Sequence, residues 1–327
     1  MNSGATPEIS LIVITPDDLS AVENLVTHLQ AQTVRDRLEL VVVAPSAGMI
    51  DPEDDRLNDF GKVQVVEIGP MRTTAHARAA GIRQASAPVV ALTEEHSFPQ
   101  PDWAQILIRS HRERWASVGP AMENANPHSM LSWANLLIEY GPYLDPVPAG
   151  VVDYLPGHNS SYKRDVLLEY GVQLDRMLEA EYVLHDDLRA KGYELYLESA
   201  ARTRHLNFSA PWAWISLRVN DGRAFAALRS ERWSILRRMA YAVASPLIPF
   251  VRLSRIMWHM KRVATRCKLM PRVLPALITV LVTSAFGEML GYIFGEGRTA
   301  ERFPQMEFNR IDYLSRQDRE RLHSCDM

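Results

Sequence analysis

Residues 9–15 form a β-branched apolar run, and Leu19, Val22, Leu25, Val26 and Leu29 then recur at helical spacing. The junction Thr15-Pro16-Asp17-Asp18 predicts a helix start, with Thr15 as cap and Pro16 at the first helical position. Residues 38–43 and 63–68 read as two more strands, the first of them without polar alternation and therefore expected to be buried on both faces, as in a parallel sheet. A helix over 73–85, interrupted by Gly81, and a fourth strand over 88–92 follow. Strand, helix, strand, strand, helix, strand with short connections predicts an α/β chain built on an open sheet.

Ligands of such sheets sit outside the carboxyl ends of the strands. Thr15, residues 44–46 and Thr93-Glu94-Glu95-His96 all fall there. If the last segment is extended, Glu94 and His96 point the same way and a carboxylate oxygen and a ring nitrogen meet at one cation, while Glu95 points away. Further along come a helix over 102–114, a short strand near 117–119 and a helix around 131–140. Pro142, Pro146, Pro148 and Gly150 mark a loop expected to act as a mobile flap. In Pro156-Gly157-His158-Asn159, Gly157 allows close backbone approach to a bound group, and a helix is expected from there through Leu168. On a helical wheel over 178–191, Leu178, Leu184 and Leu188 define the buried face, and Glu181 falls in its middle. A carboxylate there needs a partner or a task, and a general base at the sheet rim is the functional reading. Asp187 and Lys191 read as an exposed i,i+4 pair. Two strands, 193–197 and 201–205, bring His205 to a strand end as a further metal-ligand candidate.

Beyond Pro211 the chain becomes aromatic, basic and helical. Between Arg252 and Arg272 lie five more cationic residues and no acid, and an apolar run over 273–294 follows, broken by Pro275, Gly287, Glu288 and Gly291. A spanning helix needs about 20 mostly apolar residues and tolerates a central carboxylate poorly, so attachment to an anionic membrane face is expected rather than a clean span. The polar tail after Glu296 is expected to be loosely ordered. The length of 327 residues implies more than one domain, and the pattern divides the chain at 1–210, 211–300 and 301–327. The net charge of -3 gives no reason to expect a nucleic-acid partner. Cys267 and Cys325 lack metal-ligand spacing, which implies a reducing cytoplasm and no disulfide framework, and the N-terminus carries no secretory pattern.

Four blocks resemble family 2 glycosyltransferases, the nucleotide-sugar enzymes of GT-A fold. They are residues 9–46, Ala77-Arg78-Ala79-Ala80-Gly81-Ile82, residues 89–103, and 157–170 followed by 188–205. The resemblance covers about residues 8 to 208. It implies a GT-A-like open, mostly parallel sheet with flanking helices, followed by a helical, membrane-associated C-terminal region. By the same resemblance, Glu94-Glu95-His96 stands where the family has Asp-x-Asp, so that Glu94 faces the ribose and helps bind the metal and His96 coordinates it. His205 matches the family's C-terminal metal-binding histidine, and Glu181 the acid that deprotonates the acceptor hydroxyl. Gly157 and Asn159 match the glycine loop near donor and acceptor, and Thr15, Pro16 and Arg78 match positions lining the nucleotide. The implied activity is metal-assisted, inverting transfer from a nucleotide sugar to a hydroxyl of a glycan or a lipid-linked acceptor, on the cytoplasmic membrane face.

Four departures qualify the likeness. Ala44-Pro45 replaces an acidic pair, Ala180-Glu181 replaces another, and Arg229-Ser230-Glu231-Arg232-Trp233 is a reduced form of the Gln-x-x-Arg-Trp motif of processive synthases. In the fourth, Glu-Glu-His with His205 gives a donor set richer in nitrogen than an all-oxygen site, which favours Mn²⁺ over Mg²⁺. The lost acids leave open a second reading, a non-catalytic relative that binds a sugar nucleotide or a protein partner. A dinucleotide-dependent oxidoreductase is disfavoured because no GxGxxG follows the first strand.

Overall fold

The structure is a computed structural model that describes residues 6–51, 53–179, 181–261, 264–297 and 310–323. The chain divides into two compact units. One holds the residues up to Glu123 together with Tyr143–His205, and the other holds Asn124–Pro142 together with the chain from Leu206 onward.

The first unit carries a nine-stranded sheet. Along the chain come β1 (Ile9–Ile14), α1 (Glu23–Gln30), β2 (Leu38–Ala44), β3 (Lys62–Glu67), α2 (Thr74–Gln84), β4 (Val89–Leu92), β5 (Ser97–Pro99), α3 (Trp103–Ser110) and β6 (Ser117–Asn124). After α4 (Met130–Tyr140), which belongs to the second unit, follow β7 (Gly150–Val152), β8 (Ser161–Lys163), α5 (Arg164–Leu168), α6 (Leu174–Glu179), α7 (Glu181–Ala190) and β9 (Leu195–His205). The strand order is β3-β2-β1-β4-β8-β6-β9-β5, with β7 pairing β9 at the side. β3, β2, β1 and β4 are mutually parallel, while β8 runs antiparallel to β4, so the sheet is mixed. β1 and β2 are buried along their whole length, as expected of strands covered on both faces.

Glu39, inside β2, is the exception in chemistry but not in burial. Burial alone would raise its pKa, but Lys62 at 2.7 Å and hydrogen bonds from Ser10 and from the backbone and side chain of Ser86 hold it below the usual carboxylate range. A fully enclosed carboxylate is tolerated because its oxygens are all engaged.

Several expectations need correction. Thr15 is not a helix cap: Asp18 accepts from Ser20 N at 2.8 Å and opens a 3₁₀ turn, Leu19–Val22, from which α1 continues. The Thr15 hydroxyl instead donates to the Asp18 carbonyl at 2.7 Å. The expected flap contains β7, and Leu144 bridges to Met122, so backbone pairing crosses it. The two strands expected near 193–205 are one, β9. Asp187 and Lys191 do pair, at 2.9 Å, and Asp187 also accepts from the Tyr170 hydroxyl.

The second unit is helical: α4, α8 (Pro211–Arg229), α9 (Ile235–Ala244), α10 (Ile248–Lys261), α11 (Ala264–Phe294) and α12 (Arg316–His323). α11 runs unbroken through Pro275, Gly287, Glu288 and Gly291, contrary to the broken run expected. The glycines serve close packing, since a Cβ on Gly287 would lie 2.1 Å from the Val219 carbonyl oxygen and one on Gly222 of α8 would lie 2.2 Å from that of Ser284. Glu288 is tolerated in α11 because Arg252 of α10 lies 2.7 Å from it. Residues 268–294 are long and apolar enough to cross a membrane, by length and composition only. The tail is not loose between 310 and 323, where Tyr313 O accepts from Ser209 and Ala210 N and the Arg310 guanidinium sits over the Phe208 ring. Residues 298–309 and 324–327, with Cys325, lie outside the described residues, as do the side chains of Arg262, Arg266 and Cys267.

Candidate active site

Strand register builds the site. β4 ends at Leu92, and Thr93 to His96 turn back sharply, with Ser97 N donating to Glu94 O at 2.9 Å. Ser97 of β5 then pairs across from His205, the last residue of β9, which sets His205 beside His96. On the other flank, Leu92 N donates to Ser160 O and β8 pairs with β4, which seats the 3₁₀ turn Gly157–Asn159 against Glu94.

Glu94, His96 and His205 converge, all three buried, with one ligand atom of each within 4.8 Å of the others. The two Nε2 atoms are 3.1 Å apart and each lies 3.5 Å from Glu94 Oε2. The convergence expected of Glu94 and His96 is therefore present, but a tight turn produces it rather than extended alternation. The prediction that Glu95 points away is also wrong: its carboxylate lies 2.8 Å from His96 Nδ1. A carboxylate only accepts, so Nδ1 carries a hydrogen toward Glu95 and Nε2 is left as the nitrogen that would take a cation on releasing its own proton.

The donor set fits a divalent cation. Ligand atoms about 2.1–2.2 Å from a cation are roughly 3.0 to 3.6 Å apart in octahedral or tetrahedral arrangements, and the observed edges fall in that range. Glu94 is ready as a ligand: burial would raise its pKa, but the His96 charge and hydrogen bonds from His158, His205 and His96 keep it well below the usual carboxylate value. Asn159 Nδ2 donates to Glu94 Oε2 at 2.7 Å and fixes its rotamer.

Glu181 opens α7 a short way from this group. Its side chain is 22% exposed, and it packs so closely on Gly157 that a Cβ there would lie 2.5 Å from its Cγ. Leu178, Leu184 and Leu188 are buried as the wheel predicts, while Ala180 lies outside the described residues and α6 ends at Glu179. His158 links the two parts: Nδ1 is 3.1 Å from Glu94 Oε1, and Nε2 forms an ion pair with the Glu181 carboxylate. Acceptor-only carboxylates on both sides suit the doubly protonated ring. Sequence reasoning passed over His158, although it lies between two residues already singled out. Arg78, buried in α2, comes within 3.8 Å of Glu181 Oε1. Thr15 and Pro16 follow β1 at the carboxyl end of the parallel strands, and the Thr15 hydroxyl is engaged in its own turn.

No protein-family model matches the chain, and no curated protein matches it in sequence. Solved structures do resemble it. One is a mannosyltransferase from Pyrobaculum calidifontis, PcManGT, in complex with GDP-Man and Mn²⁺, with 16% identity, a TM-score of 0.50 and 87% of each chain covered. Another is GalNAc-T7 with UDP, GalNAc and Mn²⁺, with 12% identity, a TM-score of 0.45 and 62% of this chain covered. The chain spans 44% of the length of that structure. The likeness to the mannosyltransferase shows the fold: this chain has a GT-A-like α/β architecture followed by a helical C-terminal region.

Proposed function

We propose that the protein is a glycosyltransferase of the family 2 type, transferring a sugar from a nucleotide-sugar donor to a hydroxyl acceptor with inversion at the anomeric carbon. The observation that carries this reading is the convergence of Glu94, His96 and His205 at the strand ends of a GT-A-like sheet, with Glu181 joined to them through His158. Glu94, His96 and His205 hold the cation, Mn²⁺ in preference to Mg²⁺, as two imidazoles beside one carboxylate favour. When bound, the cation neutralises charge on the departing diphosphate. The PcManGT structure, which contains Mn²⁺, supports the same choice.

Glu181 takes the proton from the acceptor hydroxyl. Its place against Gly157 leaves no room for a side chain between the turn and the carboxylate, so the base is held rather than swept. Thr15, Pro16 and Arg78 line the nucleotide, and Asn159 orients Glu94 toward donor and cation. Attachment to the cytoplasmic membrane face, which would present a glycan or lipid-linked acceptor, falls to the C-terminal unit. There Ile235, Met239, Val243 and Leu247 recur every four residues as an exposed apolar stripe beside Arg232 and Arg237.

One feature favours the second reading, a GT-A-like protein that binds a sugar nucleotide or a protein partner without turnover: the His158 ion pair engages the carboxylate that would act as base. Calorimetry with UDP and with GDP, each with and without Mn²⁺, separates the two. The transferase reading expects affinity for one nucleotide to rise at least tenfold with Mn²⁺, and metal-independent affinity for both would count against it.

A further inference from the structure

The second unit holds a cavity of about 340 Å³ that is walled entirely by its own helices. α10 contributes Arg252, Arg255, Ile256 and His259 to it, spaced i, i+3, i+4 and i+7 and therefore on one face. α11 faces them with Leu281, Ser284 and Glu288, and Leu137, Ile138 and Phe225 of α4 and α8 complete an apolar floor. Gly222 of α8 also lines it, at a point where the Ser284 carbonyl oxygen of α11 lies too close for any side chain.

Charge decides what fits. Glu288 is taken by Arg252 at 2.7 Å, and Asp221 by Arg218 at 3.2 Å. Arg218 also holds Glu139, at 2.5 Å, so the acids of the wall are engaged in ion pairs with Arg252 and Arg218 rather than with Arg255, whose exposed side chain lines the cavity with His259 one turn further on. An apolar floor under a cationic rim suits a molecule with a hydrocarbon part and an anionic head. At about 30 Å³ per water-sized group the cavity takes roughly eleven heavy atoms, enough for a phosphate and about six carbons. A longer chain would have to leave it, and exposed apolar side chains on the same two helices are there to receive it: Phe250, Val251 and Trp258 on α10, Ile278, Val282 and Phe286 on α11.

We propose that this cavity is a binding site for the phosphate head and first carbons of an anionic lipid, with Arg255 as its anion-recognising residue. Nothing in this assignment depends on the chemistry of the first unit, and it is tested without donor or metal, so its failure and that of the transferase reading are distinguishable.

The test titrates the full chain in non-ionic detergent with dioleoyl phosphatidylglycerol and counts bound lipid by native mass spectrometry. One phosphatidylglycerol should bind saturably per chain, with phosphatidylcholine at least tenfold weaker and 1 mM inorganic phosphate unable to displace it (roughly the tenfold per 1.4 kcal/mol expected for losing one charged contact). Arg255→Ala should weaken binding about tenfold, Ile138→Trp should fill the floor and abolish it, and Arg109→Ala, at an exposed position of α3 in the first unit, should leave it unchanged. Equal binding of phosphatidylcholine, displacement by phosphate alone, or normal binding in Arg255→Ala would each overturn the proposal. Arg255 is exposed and its replacement leaves the helix packing intact, so that result stands even if Ile138→Trp fails to fold.

Discussion

Glu95 was dismissed on alternation and is restored by the turn that brings its carboxylate to His96, so its removal is the sharpest probe of how the cation site is held. Only 15% of the Glu95 side chain is exposed, and the contact to His96 Nδ1 is 2.8 Å. That places it outside the class of exposed ion pairs, whose contribution is about 0 to 1 kcal/mol. A carboxylate behind a metal-ligating histidine fixes the tautomer and raises ligand basicity, and losing such a partner lowers metal affinity by about 10- to 100-fold, or about 1.4 to 2.7 kcal/mol. Glu95→Gln keeps the shape and an accepting oxygen but loses the charge, so about tenfold is expected. Glu95→Ala, which also frees the ring to rotate, should approach a hundredfold. Mn²⁺ binding is read by the loss of the free-ion paramagnetic resonance signal during titration, with circular dichroism confirming an intact fold. If both variants bind Mn²⁺ as the parent does while His96→Ala does not, Glu95 plays no part in the site and the tautomer argument fails.

Stability should fall with acid, for a reason that lies away from the site. His111 and His185 are buried, and their pKa values are pushed down by burial from 6.5 to about 3 and about 4, with the Lys163 charge adding to the first. Both rings stay neutral in the folded chain while the unfolded chain binds protons, so the stability they permit is present above pH 6.5 and is lost as pH falls toward 4. Between pH 8 and pH 5 each contributes a loss of about 2 kcal/mol. Urea unfolding at the two pH values checks this, and a stability that is flat over that range would contradict it. Membrane attachment through the exposed stripe predicts that the chain floats with phosphatidylglycerol vesicles and that Ile235→Glu with Val243→Glu, two exposed stripe positions of α9, lowers the bound fraction at least tenfold. Unchanged flotation would remove the stripe as the attachment surface.

The readable parts of the fold were those with long apolar runs. β1 and β2 announce themselves because burial on both faces leaves no polar alternation to confuse, and α1 and α7 because their apolar side chains recur at helical spacing. β5, β7 and β8 have three residues each and exist only because neighbours offer backbone partners, which no local pattern records. The same limit governs the site. Glu94 and His96 were visible as residue types at a strand end, but the turn that joins them is fixed by Ser97 pairing with His205 over a hundred residues away. Glu95 was lost to a wrong backbone assumption, and His158 because its partners, Glu94 and Glu181, are distant in sequence. The glycines of α11 looked like breaks because their use, close contact with α8, lies in another helix.

In the proposed transferase the cation triad and Glu181 form one site. This is tested most directly by incubating the full chain with a panel of nucleotide sugars and measuring released nucleoside diphosphate by mass spectrometry, with and without Mn²⁺, for the parent and for Glu181→Gln. Release is expected from one donor, to require Mn²⁺ and to fall about 10²- to 10⁴-fold in Glu181→Gln, the range expected for losing a general base. Release that is indifferent to chelator and undiminished in Glu181→Gln would contradict it.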